Sequence, residues 1–417
     1  LGSLMDRDSL RELQAKKIGR LWQSISKNLF YRHLCPHDPP PPQDAAALSS
    51  WIRTLPFTTK TQLAEDRSAY PPFGSNLSFP LAEYTRFCQS SGTTAGPIPV
   101  IDTPASWGSM LDIWEKVYQH AGVTKEARVF FAFSFGPFLG FWTAFDAATR
   151  RGNMAIPGGG LSSVGRLKLI SDYAADVLCC TPTYAIRLGE ERNRHQQGTT
   201  PIRRILVAGE PGGSLPSTRA WISSLWNGAE VWDHHGMTET GPVSYESVAC
   251  PGSLLIDEES FLAEILDPNG EEVDFNEEGE LVLTTLERLA KPLIRYRTGD
   301  LVRKSIHQNQ LCLEGGILGR LDDMIIVRGV NLYPSAVEKV IRSFAAVSEY
   351  QVLIRDVSSM KEIEVQVEFS SAPPKDQSPR AIEVALQEAF ALRVPVREVQ
   401  AGTLPRHEFK AKRWIKE

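Results

Sequence analysis

The chain predicts an α/β fold in two parts. A large amino-terminal domain, residues 1–321, has mainly parallel sheets covered by helices plus a small β unit, and a small α+β carboxyl-terminal domain, residues 322–417, is joined to it by a hinge. Three observations predict this. Between Arg128 and Trp232 short apolar runs alternate with longer stretches of helical period, the pattern of strands buried between crossover helices. Between Phe261 and Leu313 the helical period fades, and apolar runs flank a Pro268-Asn269-Gly270 turn. In Gly319 to Glu338 a Gly-Arg pair precedes two adjacent carboxylates, an apolar run and Arg328-Gly329, where the backbone can turn sharply; the order beyond is β-α-β-β-α-β.

Two helical stretches, Leu10 to Leu29 and Ala45 to Leu55, flank a proline-rich break from Pro36 to Pro42 and are expected outside the large domain. Cys88 to Val100 reads CQSSGTTAGPIPV. Serine, threonine and glycine at this density form no stable helix, but they suit a tight loop with free backbone N–H and hydroxyl donors, which fits phosphate. Next come a strand at Val129 to Phe133, a helix after Pro137, a strand at Met154 to Ile156, a helix around Val164 to Ala175 and a strand at Val177 to Cys180. Thr181-Pro182 starts another helix, followed by the strand Ile205 to Ala208, a helix Leu215 to Trp226 and the strand Glu230 to Trp232. Ligands of such sheets gather at the carboxyl ends of strands, where Gly209-Glu210-Pro211 and Asp233 to Glu239 stand. FLAEILD, ELVLTTL and Leu301 to Lys304 read as strands of the β unit, which also carries Tyr296-Arg297-Thr298-Gly299-Asp300. Past the joint the reading is strand Met324 to Val327, helix Ser335 to Phe344, strands Tyr350 to Ile354 and Glu362 to Glu368, helix Pro379 to Ala391 and strand Glu398 to Ala401. A basic tail, LPRHEFKAKRW, follows.

Composition narrows the function. With 42% hydrophobic and 23% charged residues the chain is of ordinary globular type, and a net charge of -5 argues against a nucleic-acid surface. The apolar run Val129 to Phe145 is broken by Gly136-Pro137 and is short for a membrane span, so it reads as a buried strand leading into a helix. No stretch reads as a secretory signal and the six cysteines include no CxxC pair, so reduced thiols in a cytoplasmic protein are expected. Cys250 and Cys312 with His234 or His235 supply part of a zinc set, without a second pair to complete it.

SSGTTAGP, HHGMTETGP, YRTGD, GRLDDMIIVRG and LPRHEFKAKR occur in this order, and together they resemble the adenylate-forming (AMP-forming) acyl-CoA synthetase superfamily. The context DHHGMTETGPVSYE and the continuation RGVNLYP look most like its phenylacetate-CoA ligase branch. The resemblance implies two half-reactions. A carboxylate attacks the α-phosphate of ATP to give an acyl-adenylate and pyrophosphate, and a thiol, usually coenzyme A, then displaces AMP. It implies that Ser90, Ser91, Gly92, Thr93 and Thr94 cradle the outer phosphates, that Thr238 contacts the α-phosphate and that Glu239 binds Mg²⁺. Gly209, Glu210 and Pro211 line the adenine, His235 stacks on it ahead of Gly236-Met237, and Asp300, assisted by Arg320, takes both ribose hydroxyls. Lys410 is the lysine that stabilises the adenylation transition state, with Lys412 a close rival, and Asp322 is the hinge about which the small domain turns between half-reactions.

Three positions depart from the family pattern: Ala95-Gly96 replaces a Gly-Lys pair, His235 replaces the aromatic ring usual before Gly-Met-Thr-Glu, and Phe409 replaces a glycine before the lysine. The segment after the first strand offers Phe135, Phe138 and Phe141 with glycines between them, which suits a flat aryl or arylacetic acid. The reading is an AMP-forming ligase using ATP, Mg²⁺ and coenzyme A on a small carboxylic acid. The alternatives are transfer to a carrier-protein thiol or an amine, and a non-catalytic nucleotide or acyl-adenylate binder. Related enzymes are often homodimers, and neither nucleic acid nor membrane is expected as a partner.

Overall fold

A computed structural model describes residues 5–35, 40–42, 44–90, 97–195, 199–328, 330–357, 360–370, 372–407 and 411–417, with only the backbone at 331, 356, 357 and 360. Four helices open the chain: α1 (Arg7–Ile25), α2 (Leu29–Leu34), α3 (Leu48–Thr54) and α4 (Lys60–Ala69). The hairpin β1 (Arg86–Gln89) and β2 (Pro99–Asp102) precedes α5 (Pro104–His120). Then β3 (Arg128–Phe131), α6 (Leu139–Arg151), β4 (Met154–Pro157), α7 (Ser163–Asp172), β5 (Val177–Cys180), α8 (Pro182–Arg194), β6 (Arg204–Val207), α9 (Pro216–Leu225) and β7 (Glu230–Met237) follow. Antiparallel strands continue with β8 (Gly241–Ser247), β9 (Cys250–Ile256), β10 (Phe261–Leu266), β11 (Glu278–Thr285), β12 (Tyr296–His307) and β13 (Gln310–Arg320). The remainder is β14 (Ile325–Val327), β15 (Val330–Leu332), α10 (Pro334–Arg342), β16 (Val347–Val357), β17 (Met360–Phe369), α11 (Pro379–Phe390), β18 (Val396–Glu398) and β19 (Trp414–Lys416).

The predicted α/β alternation stands, and the strands of the β unit continue the same sheet. One eleven-stranded sheet runs β10-β11-β12-β13-β9-β8-β7-β6-β5-β3-β4. The parallel half ends in β7, which pairs with β6 through Asp233 and then antiparallel with β8 from His234 onward. Sequence reading ended this strand at Trp232; its extension carries His234 to Met237 into the sheet, because β8 and β9 supply partners for their backbone groups. Those two strands and helices α4 and α5 were not anticipated.

Alternation along the short parallel strands divides the core. Val129 and Phe131 pack with α5 and α6 on one face, while Phe130, Leu178 and Cys180 pack with α7, α8 and α9 on the other. The amino-terminal helices form a third cluster against Leu262, Leu286, Leu293, Ile294 and Tyr296, which confirms their outer position. The small domain has its own core on a four-stranded sheet, β18-β17-β16-β19. The basic tail leads into β19, a parallel partner of β16. Among the described residues, no helix is long and apolar enough to cross a membrane.

The small domain touches the large one at several described points. Ser335 donates its hydroxyl to the Leu318 carbonyl, and the Arg342 guanidinium lies 4.9 Å from the centre of the Trp221 ring on α9.

Candidate active site

The switch from parallel to antiparallel pairing in β7 brings the strand end and the Thr238-Glu239 turn to the carboxyl edge of the parallel strands. Gly236 is required there by close approach, since a Cβ would meet the Gly241 carbonyl oxygen at 2.8 Å and Pro242 Cα at 2.9 Å. The turn is clamped from behind by a residue that sequence reasoning missed. Arg288 donates Nη1 to the carbonyls of Thr238 at 3.0 Å and Glu239 at 2.8 Å, while its Nε and Nη2 form a buried bidentate pair with Asp102 at 2.8 and 2.6 Å. All the Arg288 contacts are long-range in sequence, so no local motif signals them.

Asp300 lies on β12 with both carboxylate oxygens engaged. His235 Nε2 is 3.1 Å from Oδ2, and Arg320 donates Nη1 to Oδ1 at 2.9 Å. Burial disfavours the ionised carboxyl, but the His235 and Arg320 contacts outweigh it and hold Asp300 below the usual carboxylate range. An ionised carboxylate with two accepting oxygens suits a cis-diol. Arg320 also donates to both oxygens of Asp322, at 2.9 and 3.1 Å, so the predicted hinge residue adjoins the predicted ribose site.

Two residues before His235 on β7, Asp233 accepts from the Ser214 hydroxyl at 2.6 Å, and burial pushes its carboxyl up to about 7. His234 packs edge-on against Trp114, ring centres 4.3 Å apart, and burial presses its pKa down to about 3. The two histidines are thus committed elsewhere, while Cys250 and Cys312 face each other with sulfurs 2.9 Å apart. The partial zinc set does not assemble, and the described residues contain no group of three or more metal-ligating side chains.

Of the phosphate-loop residues, Ser91, Gly92, Thr93 and Thr94 lie outside the described residues. Ser90 closes the base of the loop: its N–H donates to the Ile98 carbonyl at 3.0 Å and its hydroxyl accepts the Ile98 N–H at 3.0 Å. Buried Lys291 donates to the Phe73 carbonyl at 2.8 Å and the Pro99 carbonyl at 3.4 Å, burial pressing its pKa down to about 8. These contacts brace the stem of a loop that lacks the usual lysine.

Glu239 is buried, and its Oε1 has no hydrogen-bond partner; Lys60 Nζ, at the start of α4, stands 3.3 Å from that oxygen. A buried carboxylate oxygen that has an ammonium beside it but no hydrogen bond fits a hard divalent cation. Lys60 is a second residue that sequence reasoning missed, because α4 itself was not foreseen.

Phe135, Phe138 and Phe141 gather where α6 begins. Phe141 stacks on Phe133 at 4.1 Å with an 11° interplanar angle, Phe138 meets Phe141 edge-on at 5.7 Å, and Phe135 meets Trp142 at 5.1 Å. The three predicted rings are half-buried, and the loop adjoins the phosphate stem through the Gln89 N–H, which donates to the Pro137 carbonyl at 2.7 Å. Gly209 has φ +92°, a left-handed turn ahead of Glu210 and Pro211. Lys410 lies outside the described residues.

A family model described as AMP-binding enzyme matches residues 83–286, and one described as AMP-binding enzyme C-terminal domain matches 329–417. The chain is 33% identical to a phenylacetate-coenzyme A ligase of Thermus thermophilus over 88% of this chain and 83% of that one. It is 30% identical to the phenylacetate-coenzyme A ligase of Escherichia coli over 97% and 94%. A solved 2-hydroxyisobutyryl-CoA ligase in the postadenylation state shares the fold, with TM-score 0.88 and 24% identity over 97% of this chain and 89% of that one. The ordered motifs, the strand that switches partners beneath them and these relatives agree: the chain belongs to the AMP-forming acyl-CoA synthetase superfamily, in its phenylacetate-CoA ligase-like branch.

Proposed function

We infer that the chain is an acid-thiol ligase that activates an aryl or arylacetic acid with ATP and transfers the acyl group to coenzyme A. The observation that carries this is Asp300, ionised and held by His235 and Arg320, next to the Thr238-Glu239 turn that Arg288 clamps. The half-buried rings of Phe135, Phe138 and Phe141 support a flat apolar acid, and phenylacetate-coenzyme A ligases among the relatives support the same class.

In the first half-reaction an oxygen of the substrate carboxylate bonds to the α-phosphorus, and the bond to pyrophosphate breaks. In the second the thiol sulfur bonds to the acyl carbon, and AMP leaves. Asp300 accepts both ribose hydroxyls, Thr238 offers its hydroxyl to the α-phosphate, and Ser90, Ser91, Gly92, Thr93 and Thr94 surround the outer phosphates. His235, Gly236, Met237, Gly209, Glu210 and Pro211 border the adenine. Glu239 is the residue to hold Mg²⁺, which when bound neutralises phosphate charge. Lys410 supplies a point charge to the transition state, and Asp322 is the hinge between residues 1–321 and 322–417. Reduced thiols support a cytoplasmic location.

Acid-dependent ATP–pyrophosphate exchange tests the reading across benzoic, phenylacetic, hydroxybenzoic and short aliphatic acids, repeated with Lys410→Ala and followed by thioester formation with coenzyme A. Exchange with an aryl acid, lost in the variant, is the expected result. Exchange only with aliphatic acids overturns the substrate class, and acyl transfer to a carrier protein but not to coenzyme A overturns the acceptor.

A further inference from the structure

Glu210 joins two pieces of chain that belong to different domains. Its Oε1 accepts the backbone N–H of Thr183, in the first turn of α8, at 2.8 Å. Its Oε2 accepts the backbone N–H of Ala411, in the carboxyl-terminal tail, at 3.0 Å. Each oxygen serves a different domain, and both bonds are of the charge-assisted kind. The first is further favoured by the positive end of the helix dipole.

The tail meets the same helix at a second point. Arg187, on α8, donates Nη1 to the Arg406 carbonyl at 3.4 Å. On its own side the tail is fixed outside both points. Arg406 donates Nη2 to the fully buried Glu368 at 2.7 Å, and Arg413 donates Nε to Glu349 at 2.7 Å. Arg406 and Arg413 are thus tied to the small domain by ion pairs, while the Arg406 carbonyl and the Ala411 N–H meet Arg187 and Glu210 of the large domain. Lys410 is the residue immediately before the Ala411 N–H that Glu210 holds.

We propose that Glu210 is a positioning residue for adenylation, a latch that registers the tail against α8 while the small domain is docked on the large one. The inference rests on the ligase reading and adds a residue of the large domain that acts through the docking of the tail. The latch is built to release. Turning of the small domain for the second half-reaction breaks the Ala411 bond and leaves the Thr183 bond in place.

Two full-length variants separate the latch from the helix cap. Glu210→Gln keeps one acceptor oxygen and turns the other position into a donor facing an N–H. Ala411→Pro removes the tail donor, with the added restriction that proline places on its own φ and on residue 410, and leaves Glu210 on Thr183 untouched. Both are compared with wild type in acid-dependent ATP–pyrophosphate exchange and in conversion of supplied aryl-adenylate and coenzyme A to thioester. The expected result is a fall of about 10- to 100-fold in exchange turnover at saturating ATP, the size of one charge-assisted hydrogen bond. In Ala411→Pro the KM for ATP stays within about 3-fold, and in both variants thioester formation does not fall in step. Equal losses in both half-reactions, or full exchange in Ala411→Pro, overturn the latch. If Glu210→Gln unfolds, Ala411→Pro at the wild-type melting temperature decides. Wild-type protein with no exchange on any aryl acid instead overturns the ligase reading, and the latch with it.

Discussion

His235 Nε2 and Asp300 Oδ2 stand 3.1 Å apart, joining the residue before Gly236 to a strand 65 positions later. With Arg320 on the other oxygen, the carboxylate is ionised and oriented ahead of any ligand. Such preorganisation lowers the cost of binding a ribose, because the acceptors need no rearrangement. Asp300→Ala removes both acceptors. The KM for ATP in the exchange assay is expected to rise about 10- to 100-fold, corresponding to one or two hydrogen bonds to a charged group. A loss confined to turnover at unchanged KM would falsify the assignment.

Arg288 couples stability to the site. Its pair with Asp102 is buried on both sides, at 3% and 2% side-chain exposure, so removing one partner strands the other charge. Arg288→Met is expected to cost about 3–5 kcal/mol in denaturant unfolding. Asp102→Asn with Arg288→Met is expected to recover part of that stability, because both charges are then gone. Activity should not return with it, since the Thr238 and Glu239 carbonyls remain unclamped.

Asp233 makes stability depend on pH. Its folded pKa, about 7, is above its unfolded value near 4, so its contribution is full below pH 4 and is lost as pH rises to 7. Asp233→Asn keeps the shape and removes the titration. Relative to wild type, its stability is expected to improve by about 1–3 kcal/mol between pH 5 and pH 8, read from denaturant midpoints. A constant difference across that window counts against burial as the cause.

Lys60 and Glu239 are expected to shift the magnesium requirement in opposite directions. Glu239→Gln removes the charge that a cation would meet, and half-maximal exchange should need roughly ten times more Mg²⁺ or beyond. Lys60→Met removes a competing cation 3.3 Å away, one-third exposed, and should lower the requirement by about 2- to 5-fold, the scale of a partly solvated ion pair. A Lys60→Met protein that instead needs more ATP, with Mg²⁺ unchanged, assigns Lys60 to the outer phosphates.

The readable parts of the fold were those with a local signal. Alternation from β3 to β7, the Thr181-Pro182 start of α8 and the strand-helix order of the small domain each reside in a few adjacent residues. The motifs named Asp300, Arg320, Glu239 and the aromatic loop for the same reason. Helix α5 went unread although Thr103 caps it and Pro104 sits in its first turn. Helix α4 went unread although Thr59 and Gln62 form a capping box.

The sequence alone determined the family and the order of the two domains, and it named most of the side chains proposed for the chemistry, because ordered motifs and period are written in neighbouring residues. Only the tertiary structure decided that the β unit is one sheet with the parallel strands, through the change of partners along β7. It alone brought Arg288 behind Thr238, Lys60 onto Glu239, and Glu210 onto Ala411 at a separation of 201 residues. Those contacts are set by which surfaces pack together, and packing is a property of the whole chain: a carboxylate finds its partner by shared burial and charge, not by distance along the sequence.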